Sequence, residues 1–199
     1  MNLLPESPTP VVTTMTDNLE LLAVRCQLGE RQALDALVAR WHLPLWKYAR
    51  RLTGGEEAAD DVVQDVWLRI LRGLPGLREP ARLRPWIFGI ARRVLMDRLR
   101  AQYAAPPIAD VDVGDLGDAD DPRSDPGDME LLHGELASLP VLEREVLVLF
   151  YLDELSLTEL AEVLAIPVGT AKSRLFRARR TLRRRLDQPS RPRAQEEPR

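Results

Sequence analysis

Residues 156–185, SLTELAEVLAIPVGTAKSRLFRARRTLRRR, narrow the possible folds more than any other stretch of the chain. Ser156 followed three residues later by Glu159 is a capping-box signature, which places a helix start there. Leu157, Leu160, Ala161 and Leu164 then recur at helical spacing and mark one apolar stripe. Ile-Pro-Val-Gly at 166–169 predicts the end of that helix, because proline has no N–H to continue it and glycine permits a turn. The next helix repeats Ala171, Leu175, Ala178, Leu182 and Leu186 at steps of 4, 3, 4 and 4, so these side chains are expected to face inward. Its other faces carry Lys172, Arg174, Arg177, Arg179, Arg180, Arg183, Arg184 and Arg185. Between 170 and 186 there are eight basic residues and no acidic one, a local charge of +8. Such a surface is suited to phosphates. A cationic helix after a capped helix and a tight turn is the layout of a helix-turn-helix DNA reader, with Ser173, Phe176 and Arg177 in the half that usually reaches base edges. An arginine-rich helix that is merely solvated, or that binds protein, is the plainer alternative, and it leaves the capped helix and turn unexplained.

Charge is segregated along the chain, which the overall −3 conceals. Residues 17–103 hold 15 basic and 11 acidic side chains, and 156–187 hold eight and three. Between them, 104–128 hold one basic and eight acidic residues, and 129–155 one and six. Two basic blocks around an acidic middle make two candidate DNA surfaces. Leu/Ala/Arg/Glu-rich segments with little alternation of β-branched residues argue for an all-α protein.

The periodicity predicts helices over 17–28 (Leu19, Leu22 and Cys26 inward) and 30–52. In the second, Leu34, Leu37, Val38 and Trp41 share a face that Trp46, Ala49 and Leu52 continue past a candidate kink at Pro44. Thr53-Gly54-Gly55 is a break. A helix over 56–72, acidic first and basic last as the helix dipole favours, has Val63, Val66, Trp67, Ile70 and Leu71 as its stripe. After a turn-rich connector at 73–80, a fourth helix runs over 83–100 with Trp86, Ile87, Ile90, Val94 and Leu95 inward. Residues 104–128, with four prolines, three glycines and eight acids, have too little apolar surface to fold and read as a flexible acidic linker. The expected organisation is therefore all-α. A disordered tail (1–16) leads into a first helical domain (17–103), followed by the linker (104–128), a second domain (129–187) and a disordered tail (188–199).

Three stretches carry a resemblance to a known family: DDVVQDVWL at 60–68, RPWIFGIARR at 84–93 followed by DRLR at 97–100, and PVGTAKSRLFRAR at 167–179. In this order, with a linker between, they resemble a bacterial RNA polymerase sigma factor of the sigma-70 family, extracytoplasmic-function class. The resemblance implies that the first domain is region 2, a four-helix domain that binds core polymerase and recognises and melts the −10 element. The second is then region 4, whose helix-turn-helix recognises the −35 element. Asp61, Gln64, Asp65 and Leu68 fall on the family's polymerase-binding helix, with Asp61, Gln64 and Asp65 at i, i+3 and i+4 offering acid and amide groups to basic partners. Arg84, Trp86, Arg92, Arg93, Arg98 and Arg100 fall on the −10 segment, and Thr170, Lys172, Ser173, Arg174, Phe176, Arg177 and Arg180 on the −35 helix. Arg78, Arg82, Arg84, Arg92, Arg93, Arg98 and Arg100 against Glu79 and Asp97 give a local +5, a funnel for single-stranded DNA. Trp86 lies on the apolar stripe and reads as a core anchor before a stacking platform. Leu83 stands where the family often has an aromatic, and Arg93 where it often has an asparagine that helps select a flipped base, so that base choice does not carry over.

Implied partners are core RNA polymerase, promoter DNA and an anti-sigma factor. The linker then either threads toward the polymerase active site or serves as a plain tether. Competing readings are an autonomous helix-turn-helix regulator, which leaves Asp61, Gln64 and Asp65 and the block at 84–100 unexplained, and a protein-binding adaptor that mimics a sigma factor. An enzyme is not expected: two histidines, one cysteine and no glycine-rich phosphate loop leave no catalytic constellation, metal site or cofactor. Cys26 reads as an ordinary helix residue. No apolar run approaches a membrane span and 1–16 is no secretory signal, so a cytoplasmic protein without direct membrane insertion or a small-molecule substrate is expected.

Overall fold

The computed structural model describes residues 18–104 and 126–187, with side chains over 18–102 and 132–187. The tails and nearly all of the expected linker lie outside the described residues. Within them all regular structure is helical. The first group comprises α1 (Leu19–Gln27), α2 (Arg31–Thr53), α3 (Glu56–Gly73) and α4 (Leu83–Ala104), with short 3-10 turns at Leu74–Gly76 and Pro80–Arg82 before α4. The second comprises α5 (Pro126–Ala137), α6 (Val141–Leu147) running into a π turn at Val148–Leu152, α7 (Leu157–Leu164) and α8 (Val168–Leu186).

Local chemistry sets the helix ends. Asn18 accepts from the N–H groups of Glu20 and Leu21, both at 3.1 Å, and so caps α1. Gly54 takes φ 78°, where a Cβ is penalised, and returns its N–H to the Arg50 carbonyl to end α2. Helix α2 continues through Pro44 as one helix. Gly73 lies close against Trp86: a Cβ there would come 3.0 Å from the ring, whose half-buried side chain packs on the core.

Phe88, a residue the stripe on α4 did not single out, organises the first core. It is 1 % exposed and meets Trp41 and Tyr48 edge-on, with centroids at 5.9 and 5.7 Å. The indoles of α2 and α3 tie those helices together: Trp46 donates to Asp60 at 2.7 Å and Trp67 to His42 at 3.3 Å. Three expected inward residues are instead exposed: Val38, Leu71 and Leu186. Val38 sits at the edge of the α2 stripe, whose buried line runs through Ala33, Leu37, Trp41, Leu45 and Tyr48. Leu71 likewise lies off the α3 line of Ala59, Val62, Val63, Val66 and Ile70. Leu186 is at the end of α8, where the buried line has already stopped at Ala178.

In the second group the capping box forms as read. Glu159 N–H donates to Ser156 Oγ at 3.2 Å, and Ser156 N–H to Glu159 Oε2 at 2.8 Å. The turn differs from expectation. Ala165, at φ 54°, is the left-handed residue that ends α7, while Pro167 precedes α8 and Gly169 already belongs to its first turn. Proline needs no N–H ahead of a helix, so it starts α8 rather than only stopping α7. Ser156→Ala is expected to cost about 1 kcal/mol, and Ser156→Gly a few tenths. Urea unfolding of the full chain measures both, and equal losses from the two would deny the cap its role.

The two groups pack on one another. Helix α4 lies along α7, and α2 along α6 and the π turn, so buried apolar residues form one continuous core.

Candidate polymerase and nucleic-acid interfaces

Helix α3 turns Val62, Val63, Val66 and Ile70 into the core, which leaves Asp61, Gln64, Asp65 and Leu68 together on its solvent side. Leu68 is 44 % exposed, an apolar centre among acid and amide groups. One carboxylate is partly engaged: Arg98 on α4 donates to Asp61 at 3.0 Å.

The arginines of α4 divide into two sets. Arg93 and Arg100 are exposed, Arg93 donating to the Gly89 carbonyl and Arg100 to Asp97. Arg84 and Arg92 point into the second domain, as does Arg82 just before the helix. Arg84 donates to the Asp153 carbonyl, Arg92 pairs with Glu145 at 3.0 Å, and Arg82 pairs with Glu162 at 2.8 Å. The cationic funnel read from the sequence is therefore partly covered in this arrangement.

On α8, Ala171, Leu175 and Ala178 anchor one face in the core. Lys172, Ser173, Phe176, Arg177 and Arg180 are exposed, and Thr170 and Arg174 are half-buried beside them. Ser173 donates to the Thr170 carbonyl at 2.9 Å. Phe176, 66 % exposed, also edges an apolar groove of about 750 Å³ with Leu132, Leu136, Tyr151, Leu152 and Leu186. Arg179 lies over the Tyr151 ring at 5.9 Å.

Sequence reasoning missed the polar set where the domains meet. Glu145 is only 1 % exposed, and its Oε1 accepts from the Tyr48 hydroxyl at 3.0 Å as well as pairing with Arg92. Burial pushes its carboxyl up, with Arg92 pulling it back. Burial, with the adjacent Glu145 charge, also drives the Tyr48 hydroxyl well above its ordinary range. Asp153 is pushed up to about 7 by burial, against the pull of Arg51 and Arg84. Arg144 ties the second domain to the first by donating to the Arg51 carbonyl at 3.0 Å. One signal was available: Glu145 opens the run Val146, Leu147, Val148, Leu149, Phe150, and a carboxylate at the edge of a buried stretch calls for a partner.

Among the described residues no cluster of His, Cys, Asp and Glu could hold a metal, and no helix is long and apolar enough to cross a membrane.

A two-domain helical protein with an exposed acidic face on α3, an arginine-bearing helix and a cationic helix-turn-helix has the architecture of a transcription factor. The sequence family described as Sigma-70 region 2 matches residues 37–104, and that described as Sigma-70, region 4 matches 129–182. The ECF RNA polymerase sigma factor SigM of Mycobacterium tuberculosis is 34 % identical over 170 residues, 85 % of this chain and 84 % of that protein. The ECF RNA polymerase sigma-E factor of Escherichia coli K12 is 31 % identical over 176 residues, 82 % and 91 % of the two chains. Among solved structures, CnrH in complex with the cytosolic domain of CnrY is similar at TM-score 0.63 and 28 % identity, covering 86 % of this chain and 98 % of that one. The chain belongs to the sigma-70 family of RNA polymerase sigma factors, in its ECF group.

Proposed function

We propose that this chain binds core RNA polymerase through the Asp61, Gln64, Asp65 and Leu68 face of α3 and directs promoter-specific initiation by reading two DNA elements. The observation that carries the reading is that this acid-and-apolar face and the cationic helix-turn-helix occur in one chain, each on a helix whose opposite side is anchored in core. In this reading residues 17–103 and 129–187 are the two functional domains. Trp86, Arg93, Arg98 and Arg100, with Arg84 and Arg92 once freed, grip the opened −10 strand. Thr170, Lys172, Ser173, Arg174, Phe176, Arg177 and Arg180 meet the −35 duplex, some positioning phosphates and some reading bases. The protein acts by binding, without catalysis of its own, in the cytoplasm where its template is. The similarity to CnrH, solved with the cytosolic domain of CnrY, supports a protein partner for this chain as well; the resemblance to the family implies that this partner is an anti-sigma factor. An autonomous regulator would leave the exposed α3 face unused.

Run-off transcription with purified core polymerase tests the proposal: the chain should create promoter-dependent starts that core alone does not make. Absence of such starts from any genomic template would reject it. Arg177→Ala is expected to weaken −35 recognition by about 1–3 kcal/mol if the guanidinium contacts a base bidentately. Competition between −35 variants measures this, and an unaltered preference would place Arg177 off the base edges.

A further inference from the structure

We infer that Gln27 is a positioning residue for the opened −10 strand: it pins the connector between α3 and α4 so that Arg78, at the tip of that connector, takes hold of a phosphate. The inference rests on the promoter-reading function proposed above and adds Arg78 to the residues assigned there. Gln27 is the last residue of α1 and is half-buried. Its side-chain amide has two N–H donors. Nε2 donates to the Leu74 carbonyl at 3.1 Å and to the Leu77 carbonyl at 2.7 Å, 47 and 50 residues further along the chain. Those carbonyls bracket the 3-10 turn Leu74–Gly76, which closes on itself through the Leu77 N–H and the Leu74 carbonyl at 3.1 Å. One amide thus clamps both ends of the turn. The side chains anchor the same two points, since Leu74 is buried and Leu77 packs on the core. Downstream, the Arg82 N–H returns to the Glu79 carbonyl at 2.9 Å and Leu83 is fully buried. Arg78 and Glu79 are therefore exposed on a connector that is fixed on both sides.

Arg78 differs from the other arginines of the cationic set. Arg82 pairs with Glu162, Arg92 with Glu145, Arg98 with Asp61 and Arg100 with Asp97, while Arg84 and Arg93 donate to the carbonyls of Asp153 and Gly89. Arg78 has neither an ion pair nor a hydrogen bond among the described residues, and the neighbouring Glu79 carboxylate is taken by Arg82 at 3.2 Å. It can meet a strand without first giving up a partner. Pro75, Gly76 and Glu79 are exposed beside it, an open surface that suits a phosphate and offers no walls to select a base. An arginine on a loose loop must order the backbone as well as its own side chain when it binds. On a pinned loop only the side chain is ordered, so the pin acts directly on affinity. Glutamine suits this position because it is neutral and donates twice. Glutamate, of almost the same size, has no donor when ionised and would set its charge against two carbonyl oxygens.

The pin is tested without DNA, by trypsin cleavage of the full chain after Arg78, followed by mass spectrometry of the new Glu79 terminus. Cleavage should be about 10-fold faster in Gln27→Glu, because losing two hydrogen bonds of ordinary strength raises the locally open population by about that factor. Should that variant lose helicity, Gln27→Met, of similar shape but without donors, takes its place. The strand contact is tested with core polymerase and a promoter mapped by run-off transcription, supplied with its −10 segment already mispaired. Arg78→Ala should weaken the complex about 10-fold. It should also lower the slope of log affinity against log salt by about 0.7, the value for one phosphate of a single strand. Gln27→Glu should weaken the parent complex roughly 3- to 10-fold and add nothing to Arg78→Ala, because a pin matters only through the residue it holds. Cleavage at the parent's rate in both Gln27 variants would overturn the pin. An unchanged salt slope in Arg78→Ala would overturn the phosphate contact, and additive losses in the double variant would overturn the positioning role. Faster cleavage in Gln27→Glu with no promoter-dependent complex from the parent would leave the pin standing and overturn the sigma-factor reading, and with it the role of Arg78.

Discussion

Phe88→Ala should destabilise the first domain by about 3–5 kcal/mol, a large share of the 5–15 kcal/mol that holds a typical domain. The ring is 1 % exposed and wedged edge-on between Trp41 and Tyr48, so truncation removes buried area and two aromatic contacts and leaves a cavity that neither rigid neighbour can fill. Alanine is the better helix former, so the loss cannot come from α4 itself. Phe88→Leu keeps more of the volume and should cost clearly less. Chemical unfolding of the full chain, followed by tryptophan emission, reads both, because Trp41 reports on the site. A loss below about 1 kcal/mol for the alanine variant would mean that the three rings are not packed as described. The damage should also reach the domain contact, since Tyr48 holds Glu145 on one side and Phe88 on the other.

That chain of contacts marks the border of what could be read from the amino acids alone. The helices were legible because their apolar residues repeat at 3.6 and their ends carry recognisable chemistry: the Ser156/Glu159 box and the Gly54 left-handed stop. Periodicity gives the direction of a face but not the extent of what covers it, which is why Val38, Leu71 and Leu186 lie outside the buried lines. The sequence points to 166–169 as the α7 stop, whereas Ala165 takes the strained left-handed conformation, a choice that no alanine advertises. Of the candidate site, the solvent faces of α3 and α8 followed from periodicity, since whatever shares a helix with a buried stripe but lies opposite it must be exposed. The capture of Arg84 and Arg92 did not. It depends on Glu145, 97 residues from Tyr48 in sequence, and on Asp153, and no local pattern encodes pairing at that range.

Asp61→Arg combined with Gln64→Ala should weaken binding to core polymerase by about 100-fold or more while leaving the fold almost untouched. The folding cost is small because both side chains are exposed, and the one ion pair lost, Asp61 with Arg98, is a partly solvated surface pair of the kind worth about 0.2–1 kcal/mol. The binding cost is large because reversal does more than delete an attraction. It places a cation opposite basic partner groups, and like charges facing each other across an interface cost several kcal/mol, where each 1.4 kcal/mol is a factor of ten. Leu68, left in place beside the altered pair, separates charge from apolar contact: Leu68→Ala alone should reduce binding with little change in its salt dependence, whereas the Asp61 change should alter both. Affinity for core polymerase at two ionic strengths, alongside thermal unfolding of each variant, makes the distinction. Undiminished binding by the doubly substituted chain, with its fold intact, would move the docking surface off α3.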